Sequence, residues 1–198
     1  MILGITGGSG CGKTTLLTLI AQQGGLVLDC DAIYHTLLRT DQALLSSIAS
    51  RFPGTVADGV LDRKKLGGIV FADEAALRDL NCITHGAVRE TVLSMLESKP
   101  ALAAIDAIGL FEGGLAPLCD VTVAVTTPRE SRIARLIARD GISADYAAKR
   151  IDAQKPDAWY AGHCDYVLEN DGTPEQFRNK CLAFLQALDI IEENRKGE

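Results

Sequence analysis

The chain has 198 residues, 47% of them hydrophobic and 23% charged, with a formal net charge of −6 and a pI near 5.1. That length suits one domain, or one core with a modest insertion, and is enough to bury a substantial interior. The acidic balance argues against a duplex-binding surface, which needs a basic stripe, but it leaves room for a local phosphate pocket built from a few arginines.

In chain order, Ile2 to Thr6 is a short apolar run that ends at a glycine cluster. Lys13 to Ala21 follows as a helix with Leu16, Leu17 and Ile20 inward. Leu26 to Leu28 reads as a second strand ending at Asp29. Ala101 to Ile105 and Val121 to Val125 are short and continuously apolar, the pattern of buried parallel strands, and Tyr166 to Leu168 is a fifth candidate. Thr127-Pro128-Arg129-Glu130 and Thr173-Pro174-Glu175-Gln176 each place Thr before a helix, Pro at its first position and an acid or amide at the third, the pattern of a capping box. The first of these helices should stop at Gly141. The last should reach about Glu193, with a frayed tail beyond.

Strands alternating with helices imply an α/β fold with a mostly parallel sheet. Two intervals break the rhythm. Residues 32–100 carry helical pattern without a convincing strand, and Asp73 to Lys99 reads as helix, with a possible break at Thr84-His85-Gly86. This interval is expected to be a helical substrate-binding insertion in a core of residues 1–31 and 101–198. Residues 140–163, polar around a short helix, suit a mobile lid. The six cysteines are scattered, without a C-x-x-C pair or a metal-ligand spacing, and no secretory signal or membrane-length apolar run is evident. The expectation is a cytoplasmic protein with reduced thiols and no membrane attachment. Nothing indicates an obligate protein partner.

The chemistry starts at Gly7-Gly8-Ser9-Gly10-Cys11-Gly12-Lys13-Thr14, which satisfies the phosphate-loop pattern with a strand before it and a helix after. Glycines let successive backbone N–H groups turn inward around phosphates, and the helix N-terminus adds partial positive charge. Lys13 is placed to reach the β- and γ-phosphates of a nucleoside triphosphate, and the Thr14 hydroxyl to bind Mg²⁺. Asp29, Asp31 and Asp106 follow strand ends on the edge that carries the loop. Of Asp31 and Asp106, one suits a base or orienter for an attacking hydroxyl and the other a water-mediated Mg²⁺ contact, although both also suit turn or cap residues. Arg132, Arg135 and Arg139 fall on one helix face, with Arg150 beyond. Such a stripe is commonly just solvated, but phosphoryl transfer needs cations around the moving charge, which favours Arg135 and Arg139. His85 lies in the helical interval, where a lone histidine is more often structural than a ligand.

Taken together these segments resemble the dephospho-CoA kinase family along nearly the whole chain. Ile5 to Thr15 is similar to the family's opening, and Leu28-Asp29-Cys30-Asp31 to its next strand end. Leu61-Asp62-Arg63 with Ile69-Val70-Phe71, Ile83-Thr84-His85 and Asp106 to Glu112 follow in the family's order. Arg135-x-x-x-Arg139-Asp140-Gly141 with Arg150-Ile151-x-Ala153-Gln154 resembles its lid, and Asp165 to Gly172 its closing strand and turn. The resemblance implies a P-loop NTPase of the nucleotide-kinase type: a five-stranded parallel sheet flanked by helices, plus the helical insertion and lid. It implies phosphorylation of the ribose 3′-hydroxyl of dephospho-CoA by ATP with Mg²⁺, giving CoA and ADP.

By the same resemblance, Asp31 is the base or orienter, Lys13 joins the catalytic set, and Arg139 stabilises the transition state. Gly8, Ser9, Gly10, Cys11, Gly12, Lys13, Thr14, Thr15 and Arg135 would hold ATP, with the Asn170-to-Gly172 turn near its adenine. Phe71, His85, Asp106 and Arg150 would serve the acceptor alongside Asp31. The sequence departs from the family at Cys11, where Ser is usual, and at Cys30, Gly86 and Ile108-Gly109. An oxidisable Cys11 could block the loop. Rival readings are another small-molecule P-loop kinase, or a GTP-binding switch protein, whose D-x-x-G element Asp106-Ala107-Ile108-Gly109 imitates. The guanine-reading N-K-x-D is missing, because Asn179-Lys180 is followed by Cys181-Leu182.

Overall fold

The computed structural model describes the backbone of residues 1–195 and the side-chain environments of residues 1–188. Five parallel strands, β1 (Ile2–Thr6), β2 (Leu26–Asp29), β5 (Ala103–Asp106), β6 (Val121–Thr126) and β7 (Tyr166–Glu169), form one sheet in the order β2-β5-β1-β6-β7. β1 is central and is buried at four of its five positions. Leu3 and Ile5 point to a core completed by α1 (Lys13–Gln22) and α9 (Pro174–Arg195) through Leu16, Ile20, Phe177, Cys181 and Leu185. On the opposite face Leu28, Ile105, Leu110 and Leu115 pack against Val88 and Val92 of α5 (Glu74–Leu96). No described helix is long and apolar enough to cross a membrane.

Between β2 and β5 lie α2 (Cys30–Thr40), α3 (Gln42–Arg51), α4 (Arg63–Val70) and α5, with a core of their own around Leu38, Leu44, Ile48, Phe52, Leu66 and Leu80. Each of these helices starts on an aspartate cap: Asp29, Asp41, Asp62 and Asp73 accept from Ala32, Leu44, Lys65 and Ala75 backbone N–H groups. Two expectations need correction here. The interval contains a small antiparallel hairpin, β3 (Val56–Ala57) with β4 (Val60–Leu61), too short to leave an alternating pattern in the sequence. And α5 is unbroken through Thr84-His85-Gly86: Thr84 bonds back to the Leu80 carbonyl, and Gly86 lies on an open face of the helix.

After β6 come α6 (Arg129–Asp140), α7 (Ala144–Asp152) and α8 (Asp157–His163). Residues 140–163 thus hold two short helices, where the sequence implied one. Leu136, Ala147 and Ile151 form a small core between α6 and α7; truncating Leu136 there should cost about 2–5 kcal/mol. Gly141 ends α6 at φ 65°, as its position implied. The capping box at α9 is present: the Thr173 N–H donates to Gln176 Oε1 at 2.8 Å, and the Gln176 N–H to Thr173 Oγ1 at 3.2 Å. The one expected at α6 is not. Pro128 takes the cap position, and the buried Thr127 hydroxyl donates instead to the Cys11 carbonyl at 2.8 Å. That carbonyl lies in the interior, where an unpaired acceptor is costly. Helix α9 is described to Arg195, and the tail expected to fray lies beyond the described residues.

Candidate active site

The phosphate loop joins β1 to α1, and its shape is held from outside. The Gly7 carbonyl accepts from Lys13 Nζ at 3.0 Å, the Ser9 carbonyl from Arg132 Nε at 2.9 Å, and the Gly10 carbonyl from Arg135 at 3.2 Å. The Cys11 carbonyl accepts from Asn170 Nδ2 at 2.9 Å as well as from Thr127. With these carbonyls taken up by donors, the loop leaves backbone N–H groups for the cavity, although the Ser9 N–H donates to Gln154 Oε1 and the Cys11 N–H to the Gly8 carbonyl; the N-terminus of α1 adds partial positive charge. Two glycines are sterically required. Gly7 has φ 133°, and a Cβ there would overlap the Val125 carbonyl; a Cβ on Gly8 would run into the Arg132 guanidinium.

The cavity beside the loop has a volume of about 650 Å³. Residues Gly8 to Thr14 form one wall. Asp29, Asp31 and Asp106 form a second, and Arg135, Arg139 and Arg150 a third. Four cations, Lys13 among them, therefore converge on one cavity of an acidic protein. Asp140 holds two of them: Arg139 donates to its carboxylate at 2.6 and 3.0 Å, and Arg150 at 2.8 Å. Those bonds draw the Asp140 carboxyl below its usual pKa and raise that of Arg139.

Lys13 Nζ is 3.7 Å from Asp106 Oδ1, an atom that is buried and accepts no hydrogen bond within the described residues. Burial pushes the Asp106 pKa up to about 6, opposed by the Lys13 charge and reinforced by Asp29 and Asp31. The three carboxylates divide their work. Asp29 caps α2, while Asp31, in the first turn of that helix, is exposed to the cavity. Asp106 faces the loop lysine. No group of three or more His, Cys, Asp or Glu side chains able to hold a metal unaided occurs among the described residues.

A second cavity, about 260 Å³, opens next to the first. It is lined by Tyr34 of α2, by Asn81, Thr84 and His85 of α5, and by the loop after β5. Asp31 and Ile108 line both cavities, so the Asp31 carboxylate stands where the two meet. Ile108-Gly109 shapes that junction, with the Ile108 carbonyl accepting from Thr6 Oγ1 at 3.1 Å. Beyond it, Phe111 packs edge-on against Trp159 of α8, which stacks on His163 at 4.0 Å between centroids.

The structure thus brings together Gly8 to Thr14, Asp31, Asp106, Arg135, Arg139 and Arg150, and sets His85 in the adjoining cavity. Arg150 and Asp106 line the loop cavity only. Thr15 lies in the first turn of α1, beside a groove shared with Arg178. Three residues sit differently from expectation. Phe71 is 86% exposed just after α4 and lines neither cavity, its ring lying over Gly67. Asn170 is buried behind the loop, bonded to Cys11 and Arg135, and serves as a brace. Gly172 borders a separate groove with Gln176 and Lys180. Cys11 is fully buried in the main core and burial raises its thiol pKa, both of which work against the oxidation that an exposed thiol at this position would allow.

Sequence reasoning missed Gln154 and Asp157 as loop braces, Asp140 as the holder of two arginines, and Tyr34, Asn81 and Thr84 in the second cavity. Arg132 was visible only as part of the arginine stripe. It is in fact 3% exposed, with its guanidinium fully committed to the protein.

Residues 1–176 match the family model described as dephospho-CoA kinase. A dephospho-CoA kinase of Anaeromyxobacter dehalogenans is 40% identical over 196 residues, covering 94% of this chain and 92% of the relative. One of Latilactobacillus sakei is 36% identical over 191 residues, covering 94% and 95%. A crystal structure from Thermus thermophilus shares the fold with a TM-score of 0.79 at 33% identity, over 95% of this chain and 97% of that one. The loop, the paired cavities and these matches agree along almost the entire length, and the chain belongs to the dephospho-CoA kinase family of transferases.

Proposed function

We propose that this chain transfers the γ-phosphoryl group of ATP to the ribose 3′-hydroxyl of dephospho-CoA, releasing CoA and ADP. The observation that carries the reading is the position of Asp31, which lines both the phosphate-loop cavity and the second cavity. A donor in the first and an acceptor in the second would meet at its carboxylate.

The ribose 3′-oxygen forms a bond to the γ-phosphorus while the bond from that phosphorus to the β–γ bridging oxygen breaks, and ADP leaves with the electron pair. The hydroxyl proton passes to Asp31, or Asp31 orients the hydroxyl until the proton is lost. Lys13 and N–H groups of the loop hold the phosphates, apart from those of Ser9, Cys11 and Thr15, which donate to Gln154 Oε1 and to the Gly8 and Gly12 carbonyls. Arg139 stabilises the charge of the moving phosphoryl group, and Arg135 and Arg150 add to the same field. Residues 32–100 act as the acceptor-binding insertion, with His85 as a polar contact, and residues 140–163 as the lid. The exposed Phe71 and the turn at Gly172 are open to distal parts of the two substrates.

The residues present fit Mg²⁺ arriving with ATP. The Thr14 hydroxyl is exposed at the first turn of α1, and Asp106 Oδ1 is a buried acceptor that takes no hydrogen bond within the described residues. Thr14 would be a direct ligand and Asp106 would act through water. When bound, the ion neutralises phosphate charge on the donor. A cytoplasmic setting fits the six free thiols and the small soluble substrates.

The test is Asp31→Asn. Turnover of dephospho-CoA is expected to fall by about 10²–10⁴-fold, with the Mg-ATP affinity of the folded variant within about twofold of the parent chain. A folded Asp31→Asn protein with unchanged turnover would contradict the reading.

A further inference from the structure

Ser9, at the crown of the phosphate loop, has every polar group committed to two side chains. Its N–H donates to Gln154 Oε1 at 2.8 Å, its hydroxyl oxygen accepts from Gln154 Nε2 at 2.7 Å, and its carbonyl accepts from Arg132 Nε at 2.9 Å. Arg132 also donates to Gln154 Oε1 at 2.9 Å and to Asp157 Oδ1 at 3.0 Å. Two obligate donors converge on the Gln154 oxygen, so the orientation of its amide follows from the chemistry of its neighbours. The bracket is tight as well as polar. A Cβ on Gly8 would overlap Arg132 and crowd Gln154, and Ser9 is 7% exposed.

The location of Gln154 gives the bracket its interest. It follows the last turn of α7, where its N–H closes on the Ile151 carbonyl at 3.0 Å, four residues after Arg150. Asp157, the far end of the bracket, opens α8. The segment between them is therefore fastened to the phosphate loop through one amide and one guanidinium, and Arg139 and Arg150 line the loop cavity.

We propose that Gln154 and Arg132 are positioning residues for Mg-ATP. They hold Ser9 so that the loop keeps the curvature a triphosphate requires, and they register the arginines of α6 and α7 against it. Neither side chain touches the reacting atoms. The inference rests on the nucleotide reading of the loop given above. A bracket that merely adds stability would lower the melting temperature of a variant and leave its substrate affinities alone.

The experiment uses the full chain carrying Gln154→Met, close in volume and without an amide. Steady-state kinetics and calorimetric titration with Mg-ATP are run beside the parent protein. The loss of both Ser9 bonds is expected to raise KM and Kd for Mg-ATP about tenfold, with KM for the acceptor moving less than about twofold. Gln154→Glu is the rescue variant. Its carboxylate can still accept from the Ser9 N–H and Arg132, and the Ser9 hydroxyl can turn from accepting to donating. It is expected to bring both constants back to within about threefold of the parent. A folded Gln154→Met protein with parental Mg-ATP affinity, or with both substrates' KM raised equally, would overturn the proposal. A parent chain that binds no Mg-ATP would bring down the nucleotide reading itself, and this inference with it.

Discussion

The phosphate-loop cavity is walled by the contiguous residues 8–14, and the loop's carbonyls are gripped by Lys13, Arg132, Arg135, Thr127 and Asn170. The second cavity, proposed above for the acceptor, draws on α2, α5 and the loop after β5, with apolar residues such as Leu80 and Val88 between its polar groups. One site is preorganised by buried hydrogen bonds and opposed charges. The other is a mixed-polarity space made by helix packing. The difference follows from what each must hold. A triphosphate needs fixed dipoles that do not reorganise during transfer, whereas a large acceptor is held by area and a few polar contacts. Changes on the donor side should therefore appear in turnover and in the ATP constants, and changes on the acceptor side in the acceptor's KM.

The largest expected effect lies on the donor side. Arg139→Ala should lower kcat about 10³-fold or more, as loss of a transition-state cation does in phosphoryl transfer, with the acceptor's KM little changed. Rapid-quench single-turnover kinetics would check this. An Arg139→Ala effect confined to the acceptor's KM would break the division between the cavities.

Asp106 sharpens the same contrast through stability. Its pKa, raised from 3.8 to about 6, means that the folded state holds the proton more tightly than the unfolded chain between about pH 4 and pH 6. Stability should fall as pH rises through that window and stay lower above it. Asp106→Asn should thus unfold later than the parent at pH 8, by roughly 1–3 kcal/mol, with the gain gone near pH 4. It should lose activity in the process. Denaturant melts at the two pH values would show this, and an equal or lower stability of the variant at pH 8 would contradict it.

The smallest effect belongs to the acceptor side. His85→Ala should raise the acceptor's KM by about tenfold, the scale of one or two lost hydrogen bonds, and leave KM for Mg-ATP within about twofold. Initial-rate measurements with each substrate varied in turn would detect the split. Equal changes in both constants would place His85 outside the acceptor cavity's work.

The contrast also explains what could be read from the amino-acid order. The phosphate loop is legible because its chemistry is local: glycines, Lys13 and Thr14 must be neighbours for the backbone to wrap a phosphate. The five strands were legible as short apolar runs, although β7 at the sheet edge is exposed at three of its four positions, and the α9 capping box as a four-residue pattern. Arg132 and Gln154 were not, because Ser9 lies more than 100 positions from either and no periodicity records a contact at that separation. Thr127 carried a sound local signal that lost to a tertiary one, the buried Cys11 carbonyl that its hydroxyl shares with Asn170. The hairpin at Val56 to Leu61 is too short for any alternation to register. Phe71 lay in a stretch similar to the family's, and similarity of sequence did not say which way its ring would face.

The most direct test of the account is ADP release with Mg-ATP across a panel of acceptors: dephospho-CoA, adenosine and AMP. Stimulation by dephospho-CoA alone, with CoA as the product, is the predicted result. No stimulation by dephospho-CoA together with turnover of adenosine or AMP would contradict it.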